Sequence, residues 1–207
     1  MDFKWLRAGI QLIADGGASV ARCNKESAQV VSLGDPAMTE AASRGQVFTA
    51  SNAVAGVALG TAFSTTPPLF IWNPPNSGKA LSIYRVNMGY VSGTLGAGCV
   101  AIGKTAQVTV PTTGAELVPV NNAIGAAVGV GRAFTGSTIT AASTIIRTLF
   151  NVGPMLATSV FAPNACEEKL DGEIVVMPGF GVSISGIATA GTTDKVILSA
   201  VWKEIPV

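Results

Sequence analysis

From Gln46 onward, short apolar or alternating runs are broken by turn-forming clusters: STTPP, NPPNSG, SGTLGAG, PTTG, DG, PGFG and AGTTD. Proline fixes φ and glycine admits φ > 0, so each cluster marks a chain reversal rather than a continuation. Between them, runs rich in β-branched and aromatic residues are too short for helices and read as strands. The pattern predicts strands near 46–51, 54–60, 69–73, 79–92, 97–103, 106–110, 115–120, 143–150, 155–161, 173–177, 181–187 and 195–204. Many short strands at such spacing point to an all-β sandwich or barrel. In VILSAVWKEIPV, alternation places Val196, Leu198, Ala200 and Trp202 on one face of a last strand, in the core.

Residues 1–45 have another texture and are read as an N-terminal arm or base, with 46–207 as the sandwich domain. Phe3, Leu6, Ile10 and Ile13 recur at helical spacing, Gly16-Gly17 stops that helix, and MTEAASR at 38–44 suits a second short one. A large share of the charges lies here, so the arm is expected to meet solvent and either a partner or its own domain. Trp5, Leu6 and Ile10 are its candidate interface residues, and Trp72, beside the Pro74-Pro75 turn, is a further one. The segment 121–142 contains GAAVGVG, whose spacing is wrong for a dinucleotide fingerprint and which no βαβ pattern surrounds. It reads instead as an Ala/Gly strand or loop packed closely on a neighbour.

Only 12% of the 207 residues are charged, about half the usual share, while 48% are hydrophobic. No charge occurs between Arg44 and Lys79, in 86–103 or in 148–166. Polar and turn residues interrupt every apolar run before the roughly 20 residues that a bilayer requires, so no membrane span is expected. Burial between subunits is the remaining explanation. A net charge of +1 with no basic cluster gives nucleic acid nothing to bind. Cys23, Cys99 and Cys166 are odd in number and far apart, which fits buried thiols in a protein made in a reducing cytoplasm. The N-terminal segment lacks the apolar core of a secretion signal.

Candidate chemistry is sparse. The chain has no histidine, which removes Ser-His-Asp and Cys-His catalysis and most zinc sites. The stretch NPPNSGKA resembles a phosphate loop, but Asn73 stands where its first glycine belongs and Ala80 where its hydroxyl belongs. Two prolines also remove N–H donors from the would-be cradle. Lys79 is therefore read as the start of a strand with its charge in solvent. Glu167 and Glu168, adjacent in sequence, point to opposite sides of a strand, and nothing in the sequence brings Glu116, Asp171 and Asp194 together as a glycosidase would need. No enzyme, cofactor or metal site is expected.

RGQVFTASN, FIWNPPNSGKALSIYRVNMGYVSGTLGAG and DGEIVVMPGFGVSISGIATAGTTDKVILSAVWKEIPV resemble virion structural proteins of tailed bacteriophages, of the jelly-roll, TNF-like kind. The resemblance covers 44–103 and 171–207, with a weaker echo in GDPAMTEAASRG. Its marks are the NP-x-x-SGK corner and a late PG-x-x-V-x-I strand pair; 104–170 matches nothing comparable, and Met177 and Phe180 give the late corner its own character. It implies an antiparallel jelly-roll sandwich that serves as a capsid decoration or cement protein. Homotrimers on the capsid surface would then bind the major capsid protein and bridge neighbouring capsomers. The rival functions are a tail, baseplate or fibre component that binds a host receptor, and a glycan-active enzyme.

Overall fold

Two antiparallel sheets face one another in the computed structural model, which describes residues 38–153, 155–156 and 166–207. A short helix, α1 (Thr39–Ser43), precedes β1 (Val47–Ser51), β2 (Leu69–Asn73), β3 (Lys79–Leu95) and β4 (Gly98–Ala106). The short strands β5 (Ala115–Leu117), β6 (Val120–Asn121) and β7 (Arg132–Thr135) lead to β8 (Thr144–Val152) and β9 (Met155–Leu156). The chain ends with β10 (Cys166–Val176), β11 (Phe180–Ile187) and β12 (Thr192–Pro206).

The first sheet has the order β10-β3-β12-β1-β6, with β9 also paired to β3, and the second the order β5-β7-β2-β11-β4-β8. The long strands pass back and forth between them: β1, β3, β10 and β12 in the first, β2, β4, β8 and β11 in the second. This is the β-sandwich that the strand pattern predicts, with the jelly-roll strand order that the resemblance implies. The helix expected over 38–44 is α1, where an exposed Glu40–Arg44 pair of 2.8 Å lies one turn apart. Trp5, Leu6, Ile10, the helix expected near Phe3–Ile13 and Cys23 lie outside the described residues.

Alternation builds the core. Leu81, Ile83, Val86 and Met88 of β3 point between the sheets with Val196, Leu198, Ala200 and Trp202 of β12, against Val100 and Ile102 of β4 and Val182 and Ile184 of β11. Each fully buried side chain of this size contributes roughly 1.5–3 kcal/mol. Trp202 stacks on Phe48 at 6.2 Å between ring centroids. The opposite faces of β2 and β7 carry Phe70, Trp72 and Phe134, which form a second cluster with Ile139 beyond β7. Arg132 lies over the Trp72 and Phe134 rings at 5.4 and 5.2 Å and is gripped by both carboxylate oxygens of Glu116.

Several elements depart from the sequence expectation. Residues 54–60 form no strand; Val57 makes one isolated bridge to Val196, and the Leu59 N–H is drawn instead to the buried Asp194 carboxylate at 2.9 Å. The 106–110 stretch leaves the sheet after Ala106 because the side chain of Gln107 takes over the backbone, donating to Thr109 O and accepting from Thr140 N. Asp171-Gly172 is a bulge inside β10 rather than a reversal: both residues have positive φ, and pairing to β3 resumes at Ile174. The strand expected at 173–177 is thereby the second half of a longer one. Arg132–Thr135 forms β7, unforeseen because four residues between glycines are too few to show a period. Of the strand expected at 155–161, β9 covers two residues and 157–161 lie outside the described residues.

Candidate interaction surface

The NPPNSGK corner is organised by Asn73. Its amide Nδ2 donates to Lys79 O and Val176 O at 2.8 and 2.9 Å, and its Oδ1 accepts from Ser77 Oγ at 2.7 Å. Its backbone carbonyl accepts from Gly179 N at 2.9 Å. Asn73 thus ties the end of β2 to the start of β3 and the end of β10 through its side chain, and to the start of β11 through its backbone. Asn76 and Gly78 complete the turn with φ of 60° and 70°.

Lys79 is not simply in solvent. Its Nζ donates to Glu204 Oε2 at 2.9 Å, and the Glu204 side chain is wholly buried. The other carboxylate oxygen accepts the backbone N–H groups of Val130 and Gly131 at 2.7 and 2.9 Å. Solvation lost on burying the charge is replaced by three donors, as a buried carboxylate requires. Glu204 thereby fastens the segment that joins β6 to β7. Gly129 and Gly131 allow this approach, because a Cβ would meet Glu204 Oε1 at the first and Trp202 Nε1, at 2.8 Å, at the second. The close packing read from GAAVGVG is therefore present, as a loop.

Registers place the ends of β2, β4, β10 and β12 and the starts of β3, β8 and β11 at this same end of the sandwich. Val108, Val110, Val118, Ile124 and Val128 are exposed in its loops, and Val120, Ile145, Ile146, Val175, Met177, Phe180, Ile205 and Val207 on or beside the strand ends around them. Among the described residues the other exposed large hydrophobics are Val54 and Val91. Such a concentration is of the kind found at interaction sites. The charge-free stretch 86–103, by contrast, largely serves the protomer's own sheets as the second half of β3 and most of β4.

An apolar crevice and a larger cleft are among the concave features of the described residues. Between the edge strands β10 and β8, a crevice of about 240 Å³ is lined by Ile146, Ile174, Val176, Met177 and Phe180, with Lys104 as its charged group. Beside α1, a polar cleft of about 500 Å³ is lined by Tyr84, Arg85, Lys169, Asp171 and Asn122 among others. Among the described residues Asp171 is its sole carboxylate, where glycoside hydrolysis uses two. The other acids are engaged separately: Glu116 by Arg132, Glu167 by Arg85 at 3.5 Å, and Glu168 and Glu173 by Arg147 at 2.7 Å each. The Arg132 guanidinium holds the Glu116 carboxyl below its ordinary range, while burial pushes the Cys166 thiol up.

Trp72, expected at an interface, is 2% exposed and spends its surface inside its own chain, with Nε1 donating to Gln107 O at 2.6 Å. Its ring is therefore not offered to a neighbouring subunit. The described residues instead expose Ile124 and Val128, which sequence reasoning did not select, and Met177 and Phe180, which it noted only as a distinctive corner. The signal for the first two was the absence of charge from Leu117 to Gly131. The chain matches no protein-family model, no curated protein and no solved structure.

Proposed function

We propose that the protein is a non-enzymatic virion structural protein that decorates a phage capsid as a homotrimer and stabilises it by bridging neighbouring capsomers. The observation that carries this reading is the apolar end of the jelly roll, a surface that a charge-poor chain leaves bare unless an assembly covers it. Burying it against the major capsid protein and against other copies recovers about 25 cal/mol per Å² of apolar area, less the cost of association. Several such contacts per trimer act together, so that release requires all of them to open at once. The mechanism is mechanical: added contact area where shell subunits would separate.

Quantitative densitometry of purified particles tests this. Hundreds of copies per particle are expected, and a count in the low tens would overturn it in favour of a tail, baseplate or fibre component. That second reading draws on the polar cleft of Tyr84, Arg85, Lys169 and Asp171, which suits a receptor glycan better than a shell contact. For the arm, with Trp5, Leu6 and Ile10, deletion of residues 1–20 is expected to leave a folded oligomer that no longer binds shells. Undiminished binding would remove the arm from the mechanism. Release of reducing sugar from host envelope polysaccharide would overturn the non-enzymatic assignment.

A further inference from the structure

Along β3 the core positions Leu81 and Ile83 are followed by Val86 and Met88, so the alternation slips by one residue and Tyr84 and Arg85 both fall outside the core. Both neighbouring strands slip at the same place. Ile83 pairs with Trp202 and Arg85 with Val201 of β12, which leaves Tyr84 with no residue opposite it there. On the other side Ile83 pairs with Ile174 and Arg85 with Lys169, and the Asp171-Gly172 bulge of β10 fills the gap, with Asp171 held at a φ of 45°. Bulges re-aim side chains and are frequent beside functional sites, as are residues held in the left-handed region. Here they bring Tyr84, Arg85, Lys169 and Asp171 to one cleft of about 500 Å³, which Asn122 also lines.

The polar groups of this cleft are unspent. Among the described residues the Tyr84 hydroxyl, the Lys169 ammonium and the Asp171 carboxylate make no hydrogen bond or ion pair, and Arg85 meets only Glu167, at 3.5 Å from its Nε. Asn122 accepts from Thr49 Oγ1 through its Oδ1, which leaves its two amide donors. Lys169 stands directly opposite Arg85 on the β3–β10 ladder, and like charges so placed weaken a sheet. An anion between them would reverse that cost. Asp171 sets a second condition, because a carboxylate repels a bare anion but accepts hydrogen bonds from hydroxyls. The ligand must therefore carry negative charge and hydroxyl donors together, and the cleft has the volume of a small-molecule site.

We propose that this cleft binds an acidic saccharide, with the sugar carboxylate between Arg85 and Lys169 and its hydroxyls on Asp171, Asn122 and the Tyr84 hydroxyl. The inference rests on the receptor-glycan reading of the cleft and names the sugar it takes. Saturation-transfer NMR and isothermal calorimetry on the full chain supply the test. The probes are sodium glucuronate and N-acetylneuraminate, with methyl glucoside, acetate and inorganic phosphate as controls. The wild type is expected to bind at least one acidic sugar more tightly than any control. Arg85→Ala and Lys169→Ala, both at exposed positions, should each weaken that binding roughly tenfold or more, the scale of a charge-assisted hydrogen bond. Asp171→Asn keeps a residue that tolerates the left-handed backbone and removes the negative charge, so it should weaken the sugar and strengthen phosphate. Those opposite responses separate a ligand contact from a folding defect, and circular dichroism checks the fold of each variant. Should an alanine variant misfold, Arg85→Gln or Lys169→Gln replaces it under the same criteria. No binding of either acidic sugar, equal binding of any control, or undiminished binding by both cation variants would each overturn the proposal. Copy number on the particle is counted separately: hundreds of copies with sugar bound would refute the tail role and leave this site standing, whereas low tens without binding would do the reverse.

Discussion

Replacing Glu204 by alanine probes the device that shapes the apolar end. The wild-type side chain has no exposed surface and accepts three hydrogen bonds, two from backbone N–H groups and one from Lys79. Alanine leaves the Val130 and Gly131 N–H groups without that acceptor, at about 1–3 kcal/mol for each buried donor. Lys79 is 39% exposed and can turn to water, so losing its partner adds little. The expected destabilisation is about 3–5 kcal/mol, a large part of a domain stability of roughly 5–15 kcal/mol. Glu204→Gln keeps an oxygen for the two N–H groups and should cost about 1–2 kcal/mol. Urea titration at pH 7 and fixed protein concentration measures both, with the m-value expected to stay constant. Amide exchange at Val130 and Gly131 should accelerate in the alanine variant. A loss below about 1 kcal/mol for alanine, or equal losses for the two variants, would refute the latch on the N–H groups.

Gly181→Ala would place a methyl about 2.2 Å from the Phe70 ring edge and 2.9 Å from Ile71 O. Overpacking there should destabilise by about 1–3 kcal/mol in the same urea assay, and a neutral result would mean that Phe70 yields freely. The Glu116 carboxyl titrates below its usual value of 4.5 because Arg132 hydrogen-bonds it. Its stabilising contribution is therefore fully present above that value and is lost as pH falls through the lower folded one. The Glu116 side chain is 44% exposed, so screening holds the effect under about 1 kcal/mol. Thermal melts of wild type and Glu116→Gln should converge on acidification below about pH 4.5, and a gap independent of pH would sink the assignment. Burial raises the Cys166 thiol above 9.0, so in a Cys23→Ser/Cys99→Ser background it should react with a thiol reagent at pH 8 more slowly folded than unfolded in urea. Equal rates would contradict that environment.

Alternation and turn chemistry carried most of the fold. The long strands β3, β4, β8, β11 and β12 are legible because runs rich in β-branched and aromatic residues are bounded by turn residues, and the strict alternation of β12 places Trp202 in the core. The failures share a different cause, a side chain that outbids local pattern. Asp194 captures the Leu59 N–H and Gln107 reorganises 107–109, so apolar runs that look like strands are held as irregular segments. Asp171-Gly172 shows the limit of reading turns: the same dipeptide that closes a hairpin also makes a bulge, and the choice depends on the partner β3.

The surface was harder to read than the fold, because exposure belongs to the ends of strands rather than to any window of sequence. Val175 and Phe180 lie on strands whose interior residues Val176 and Val182 are buried, so neighbours of equal hydropathy have opposite fates. Trp72 shows the converse error: a bulky aromatic beside a turn suggested a contact, yet β7 and the Gln107 carbonyl cover it. The charge-free run from Leu117 to Gly131 is a signal that the sequence reading left unused. Its meaning needed Glu204, over seventy residues away, whose bonds to Val130 and Gly131 turn a flexible composition into a fixed loop. Composition alone thus marks an uncharged loop, while the buried carboxylate is what fixes its shape.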